Sequence, residues 1–152
     1  MTSFTPDFTA ILQGLMDQGG EFVVVGGVAA VLHGAPVTIF DLDLVHLRTS
    51  ENLKLLVSAR KDLDACYRGR GDQKLRPTTG HLASSGYHLL MTRLGPLDIL
   101  GTIGRDHDFE APQPHPEELR VGTMPLRVLN LETIITVKEE VGMKKTRSFC
   151  PL

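Results

Sequence analysis

The stretch that decides the fold runs from Phe22 to Arg48 and reads FVVVGGVAAVLHGAPVTIFDLDLVHLR. Its apolar opening, Phe22 to Val25, predicts a buried strand, and Gly26-Gly27 predicts a turn directly after it. A short helix is expected over Val28 to Leu32, and a second strand over Phe40 to Val45. The stretch therefore predicts two neighbouring strands connected by a glycine turn and a short helix.

Two carboxylates, Asp41 and Asp43, lie in the second predicted strand. Alternate residues of a strand share a face, so both carboxylates are expected on one side, with Leu42 and Leu44 on the other. Two carboxylates side by side are costly unless something neutralises them, and a divalent cation is the usual partner. The motif therefore predicts a metal site beside the glycine turn.

This pattern resembles the signature of the nucleotidyltransferase superfamily that includes DNA polymerase beta. The signature is a Gly-Gly or Gly-Ser turn followed, after a gap, by Asp-x-Asp between apolar residues. The resemblance covers residues 21–101, with a weaker match over residues 128–145. The His33-Gly34 pair makes the chain similar to the small bacterial members, including the AbiEii-like toxin enzymes of toxin–antitoxin pairs.

The resemblance implies a third catalytic carboxylate, and Asp98 in Gly-Pro-Leu-Asp-Ile-Leu fits its place. By resemblance, Asp41 and Asp43 would bind two Mg²⁺ (or Mn²⁺) ions, and Asp98 would hold the ion that activates the acceptor hydroxyl. Asp-x-Asp alone is common at the ends of surface strands. The upstream glycine pair and the downstream aspartate together favour a metal site over that ordinary interpretation.

The nucleotide is expected to meet Gly26 and Gly27, because glycine lets the main chain approach a phosphate closely. The alternative is a plain strand-to-helix turn that needs positive φ. His33, on or just after the short helix, is interpreted as a core or capping histidine in preference to a catalytic one.

Lys138 falls on the apolar stripe of a final helix that Asn130 is expected to cap. Two interpretations stay open: its ammonium snorkels to the helix edge, or it meets the triphosphate as a late-helix lysine does in similar enzymes. Lys145 is placed with it as a candidate nucleotide-binding residue.

The sequence departs from the superfamily pattern at two places. Relatives often read Arg-x-Thr-x-Asp-x-Asp, but Val37 stands at the arginine position and Ile39 at the threonine position. Relatives also tend to have Lys-Asp after the last helix, whereas Thr146 follows Lys145 here. These changes bear on acceptor positioning and activity and leave the three aspartates untouched.

The remaining elements predict a single α/β (α+β) domain over residues 1–152, with a mixed sheet and helices mainly on one face. A first helix is expected after a Thr5 cap, and a longer helix from Thr49 or Ser50 to Ala65. Two strands, residues 87–94 and 97–100, are expected to form a hairpin around a Gly95-Pro96 turn. A short strand is expected over residues 124–129, and residues 102–116 are expected to be irregular.

Composition is that of an ordinary globular protein, with 41% hydrophobic and 22% charged residues. No apolar run reaches the length of a membrane span. Cys66 and Cys150 are far apart and lack metal-site spacing, so a cytoplasmic protein with reduced thiols is expected. The net charge of −2 argues against a uniformly basic nucleic-acid binder. The polar stretch from Tyr67 to Gly80 carries several basic residues and is interpreted as a solvated loop, with RNA contact as the alternative.

These observations predict an enzyme that moves a nucleoside monophosphate from an NTP to a hydroxyl acceptor. The acceptor would be an RNA 3′ end or a protein side chain, with a cognate toxin or antitoxin as a further partner. The alternative function is a weakly active or inactive protein of the same fold that binds a nucleotide or a partner. A two-metal phosphohydrolase is disfavoured, since no histidines have suitable ligand spacing.

Overall fold

The computed structural model describes residues 7–36, 38–69, 74–101 and 116–135. Seven strands form one mixed sheet in the order β3-β4-β5-β2-β1-β7-β6. The strands are β1 (Phe22–Val25), β2 (Leu42–His46), β3 (Cys66–Tyr67), β4 (Tyr87–Thr92), β5 (Gly95–Leu100), β6 (Pro116–Val121) and β7 (Met124–Leu129). The described helices are α1 (Phe8–Asp17), α2 (Gly26–Leu32), α3 (Ser50–Leu63) and α4 (Thr79–Leu82), and residues 131–135 are also helical.

The centre of the sheet is built from the stretch that the sequence singled out. β1 and β2 pair antiparallel, with Val25 opposite Asp43. β2 pairs in parallel with β5, which places Asp43 opposite Asp98, and β1 pairs in parallel with β7. The mixed sheet with its helices confirms the predicted fold class, and the predicted adjacency of β1 and β2 is also confirmed.

Burial differs between the central strand β1 and the outer strand β4. All four residues of β1 are buried, as expected for a central strand. Along β4 burial alternates, and Tyr87, Leu89 and Met91 are the exposed residues. The face that carries these side chains also carries Asp98, because Leu89 is directly opposite it. The carboxylates therefore lie next to an open part of the sheet.

Helix starts follow side-chain capping. Asp7 caps α1, and its Oδ1 accepts from the backbone N–H of Ala10 at 3.0 Å. The predicted Thr5 cap is therefore wrong, since the helix begins two residues later than expected; Thr5 itself lies outside the described residues. Thr49 caps α3 as expected, but the helix ends at Leu63 because Asp64 adopts a left-handed conformation. Asn130 Oδ1 accepts from Thr133 N at 2.8 Å, as expected for the helical residues 131–135.

Three further local predictions, all in or beside the outer strands, are wrong. The turn of the β4–β5 hairpin lies at Arg93-Leu94, and Pro96 is inside β5, at a position where β5 has β4 but not yet β2 as its partner. Thr92 Oγ1 closes the turn by donating to the carbonyl of Gly95 at 2.8 Å. The polar stretch expected to be a loop contains part of β3 and α4. Pro116, expected to be irregular, begins the edge strand β6.

No helix in the described ranges is long and apolar enough to cross a membrane.

Candidate functional site

Three carboxylates converge at one edge of the central strands. One oxygen from each of Asp41, Asp43 and Asp98 lies within 4.8 Å of the others. Asp43 is in β2 and Asp98 is its neighbour in β5, while Asp41 lies in a bend one residue before β2 begins. The expectation that Asp41 belongs to a strand from Phe40 is therefore wrong, and Phe40 is 78% exposed. The bend, not strand alternation, brings Asp41 to the other two.

The helix predicted from Val28 begins two residues earlier, because Gly26 and Gly27 are the first residues of α2. Gly26 touches the cluster of carboxylates. Gly26 has a positive φ of 66°, and a Cβ added there would overlap the carboxylate of Asp43. Gly27 has open space where its Cβ would be, with no atom within 4 Å. Gly26 is therefore required by backbone conformation and by the close approach of Asp43. The open space at Gly27 is one residue along the chain from the contact with Asp43.

Burial and mutual repulsion disfavour the charged forms of two of the carboxylates. Burial raises the pKa of Asp43 to about 8, and repulsion from Asp41 and Asp98 adds to the shift. Burial and interactions with Asp41 raise the pKa of Asp98 to about 6. The neighbouring Arg68 opposes both shifts. The cluster thus favours an added positive charge.

Arg68 provides one such charge. Its Nη2 donates to Oδ1 of Asp98 in an ion pair, and the side chain of Asp98 is 10% exposed. The position follows from strand pairing, because Arg68 extends β3 by one residue and its backbone N–H donates to Leu89 O at 2.9 Å. Leu89 in turn is opposite Asp98. Arg68, Leu89 and Asp98 thus lie in one row across three strands.

Sequence reasoning missed Arg68 as a site residue, because it assigned the residue to a basic surface loop. The pairing of β3 with β4 is a long-range contact without a local sequence signal. Charge was the available signal, because three converging carboxylates need a cation. The basic stretch directly precedes the β4–β5 hairpin, which carries Asp98. Another arginine of that stretch, Arg76, pairs with the exposed Asp64 at 2.6 Å, as a solvated segment would.

His33 joins secondary-structure elements. It follows the last residue of α2, and its Nε2 lies 2.9 Å from Leu129 O in β7. Its Nδ1 lies 3.9 Å from a carboxylate oxygen of Glu117. This placement fits the capping interpretation. Lys138 and Lys145 lie outside the described residues.

The residues present fit a hard divalent cation. Mg²⁺ and Mn²⁺ prefer carboxylate oxygens, and three such groups meet here within reach of one ion. The raised pKa values of Asp43 and Asp98 are the expected mark of carboxylates that gain from a cation. The described residues hold no other group of three or more acidic, histidine or cysteine ligands arranged in this way.

Comparison with solved structures identifies the fold. A Thermotoga maritima protein classed as a nucleotidyltransferase matches with a TM-score of 0.65 and 16% identity, covering 96% of this chain and 91% of that one. The antibiotic-resistance factor ANT(2″)-Ia in complex with adenylyl-2″-tobramycin matches with a TM-score of 0.61 and 18% identity, covering 95% and 79%. A solution structure of ANT(2″)-Ia matches with a TM-score of 0.57 and 18% identity, covering 95% and 72%.

These matches confirm the predicted nucleotidyltransferase fold. No family model and no curated protein sequence matches the chain.

Proposed function

We propose that this protein is a metal-dependent nucleotidyltransferase that moves a nucleoside monophosphate from an NTP, such as ATP, to a hydroxyl acceptor. The observation that carries the proposal is the convergence of Asp41, Asp43 and Asp98 beside the Gly26-Gly27 turn. The fold shared with nucleotidyltransferases supports it.

In this proposal the carboxylates are the ligands of Mg²⁺ or Mn²⁺. The bound metal would neutralise the triphosphate and make the acceptor hydroxyl more acidic. Asp41 and Asp43 would orient the nucleotide phosphates through their shared position beside the glycine turn. Asp98 would lie on the acceptor side, because its β4 neighbour Leu89 belongs to the exposed part of the sheet.

The glycine turn has a separate role in the proposal. The uncovered backbone at Gly27 would donate N–H groups to phosphate oxygens, which a side chain at this position would obstruct. Gly26 would keep Asp43 in place by leaving room for its carboxylate. Lys138 and Lys145 are further candidates for phosphate contact, on sequence grounds alone.

The acceptor is a hydroxyl-bearing molecule: an RNA 3′ end, a protein side chain, or a small molecule of the kind that the complex of ANT(2″)-Ia with adenylyl-2″-tobramycin suggests. A role in a toxin–antitoxin pair and a cytoplasmic location stay predictions from the sequence. The second candidate function, binding without transfer, is favoured by Val37 and Ile39 in place of the usual polar residues.

A labelling experiment tests the proposal. Each NTP, labelled at the α or the γ phosphate, is incubated with the protein, Mg²⁺ or Mn²⁺, and separate pools of RNA, protein and hydroxyl-bearing small molecules. We expect α label on one pool, no γ label on it, and no transfer by Asp43→Asn. Transfer of γ label would indicate a phosphotransferase, and nucleotide binding without any transfer would support the binding module.

A further inference from the structure

Arg68 contacts Asp98, a carboxylate that a bound divalent cation would also need. Its guanidinium pairs with Oδ1 of Asp98, and Asp98 has a carboxylate oxygen within 4.8 Å of oxygens on both Asp41 and Asp43. The Asp98 side chain is 10% exposed, so few directions of approach to its oxygens are open. Arg68 itself is 27% exposed at its side chain, and it extends from the end of the two-residue strand β3.

A guanidinium and a divalent ion cannot both be held closely at Asp98 without repelling each other. The arginine satisfies the carboxylate with a charge-assisted hydrogen bond, one of the stronger polar contacts in proteins. A metal ion that binds the same carboxylate must replace that bond or accept a positive charge beside it. The two cations therefore compete for Asp98.

We propose that Arg68 is the counter-ion of the carboxylate cluster before metal binds, and that it must release Asp98 for a divalent ion to bind there. This inference rests on the metal site of the proposed function. It adds that Arg68 lowers the metal affinity of the protein and stabilises the fold when no metal is bound. Arg68 acts through Asp98, so it is a positioning residue and not a catalytic one.

The opposite role makes the opposite prediction. If Arg68 held Asp98 in the orientation that a metal needs, then removing Arg68 would weaken metal binding. A merely structural arginine would change stability equally with and without metal. Metal affinity and metal-dependent stability, measured together, separate these roles from competition.

A matched control exists in the same segment. Arg76 also forms an arginine–carboxylate pair, with Asp64 at 2.6 Å, and it donates to the carbonyl of Ala65 at 3.3 Å. Asp64 does not belong to the carboxylate cluster. Arg76→Gln therefore removes the same unit of charge and a similar ion pair without touching the candidate metal site.

The experiment is a Mn²⁺ titration of the full chain without nucleotide, in which binding is measured by calorimetry or electron paramagnetic resonance. The variants are the parent, Arg68→Gln, Arg68→Lys and Arg76→Gln. We expect Arg68→Gln to bind Mn²⁺ about 10–100-fold more tightly than the parent, the factor that loss of one competing charge-assisted bond gives. Arg76→Gln should bind as the parent does, and Arg68→Lys should fall between the parent and Arg68→Gln.

Melting temperatures complete the test. In EDTA, Arg68→Gln should melt below the parent, and saturating Mn²⁺ should reduce or reverse that difference. Unchanged or weaker Mn²⁺ binding in Arg68→Gln would overturn the inference while leaving the metal site intact. Should Arg68→Gln fail to fold, unchanged or weaker binding by Arg68→Lys would overturn it equally. Absence of Mn²⁺ binding in every variant, the parent included, would overturn both the inference and the metal site.

Discussion

Asp43 is enclosed by Asp41, Asp98 and Arg68 and by the backbone of Gly26. Burial is the largest cause of its raised pKa, followed by the repulsion of the two neighbouring carboxylates. The folded protein therefore holds a proton on Asp43 at pH values where the unfolded chain has released it. Without metal, this residue makes the fold less stable as the pH rises.

The sign of that effect gives a prediction for Asp43→Asn in EDTA. Between the unfolded pKa of 3.8 and the folded value of about 8, the folded state binds more protons, so its stability falls with rising pH. Asparagine has the same shape and does not titrate. We expect the variant to melt with the parent near pH 4 and several degrees above it at pH 8, in scanning calorimetry. If the melting temperatures of variant and parent differed by the same amount at every pH in this range, the buried, repulsive environment assigned to Asp43 would be wrong.

At this scale the sequence predicted the three aspartates but not their counter-ion. Asp41 and Asp43 could be found because a carboxylate pair beside two glycines is a local pattern, whereas Asp98 was placed by the family resemblance. Arg68 could not be found, because its position depends on β3 pairing with β4. The position of Asp41 was mispredicted for a related reason. The alternating strand pattern continues back to Phe40, and no residue in the sequence marks the bend at Asp41 where strand pairing ends.

The α2 helix and its turn show how one element positions the site. Val25 ends β1 opposite Asp43, and α2 begins at once with the two glycines. His33 then fixes the far end of α2 to β7 through Leu129 O. The element is therefore held at both ends, with Gly26 against Asp43 and open space at the next residue, Gly27.

Gly27→Ala separates stability from binding in this element. An added Cβ meets no atom within 4 Å, and alanine favours helix by roughly 0.5–1 kcal/mol over glycine. We expect unchanged or slightly higher stability in urea unfolding, together with weaker Mg²⁺-dependent nucleotide binding. Normal nucleotide affinity in this variant would remove Gly27 from the phosphate site.

Gly26→Ala is the comparison. Its φ of 66° and the overlap with Asp43 both oppose a side chain, so the free energy of unfolding should fall by at least about 1–2 kcal/mol. The two neighbouring glycines should thus respond in opposite directions. The sequence predicted both as backbone phosphate contacts, since their spacing alone does not show which one faces Asp43.

Other element boundaries could be predicted where the sequence carries a strong local signal, and not elsewhere. Two helix caps, Thr49 and Asn130, could be predicted because capping is local, whereas the cap of α1 was placed at Thr5 and is Asp7. The hairpin turn was placed two residues late because Gly-Pro is a strong turn signal, while the Thr92 side chain that closes the real turn is a weak one. The edge strand β6 begins at a proline, which sequence patterns assign to irregular chain.

At the scale of the whole molecule, buried polar contacts join a helix to the segments that flank the central strands. Asn52 is 1% exposed at the start of α3. Its side chain accepts from Glu21 N at 2.7 Å and donates to the carbonyls of Glu21 at 2.9 Å and Leu47 at 2.6 Å. One amide therefore connects α3 to the segments that precede β1 and follow β2.

Asn52→Ala should destabilise the fold. It would leave a backbone N–H and two carbonyls without this partner, at a cost of about 2–4 kcal/mol for the set. The matched control is Gln13→Ala, which removes an exposed amide contact to Asp17 and should cost under about 0.5 kcal/mol. Urea unfolding with an unchanged m-value measures both. Equal losses of unfolding free energy in the two variants would show that the Asn52 contacts do not hold α3 to the segments that flank β1 and β2.

The full strand order could not be predicted from the sequence, because several of the strand pairings are long-range. Adjacency of β1 and β2 followed from the resemblance and from the short connection, but β7 beside β1 and β6 at the edge are long-range pairings. Solved structures with only 16–18% identity have a similar fold, so the fold by itself does not fix the chemistry of the site. Function must therefore be tested at the carboxylates themselves.

The most direct measurement is Mg²⁺-dependent binding of a non-hydrolysable NTP analogue to the parent and to Asp43→Asn, because it needs no knowledge of the acceptor. We predict that the parent binds at least one such analogue only when Mg²⁺ is present, and that Asp43→Asn loses this binding while staying folded. Binding that is independent of Mg²⁺, or equal in the variant, would contradict a nucleotide and metal site at Asp41, Asp43 and Asp98.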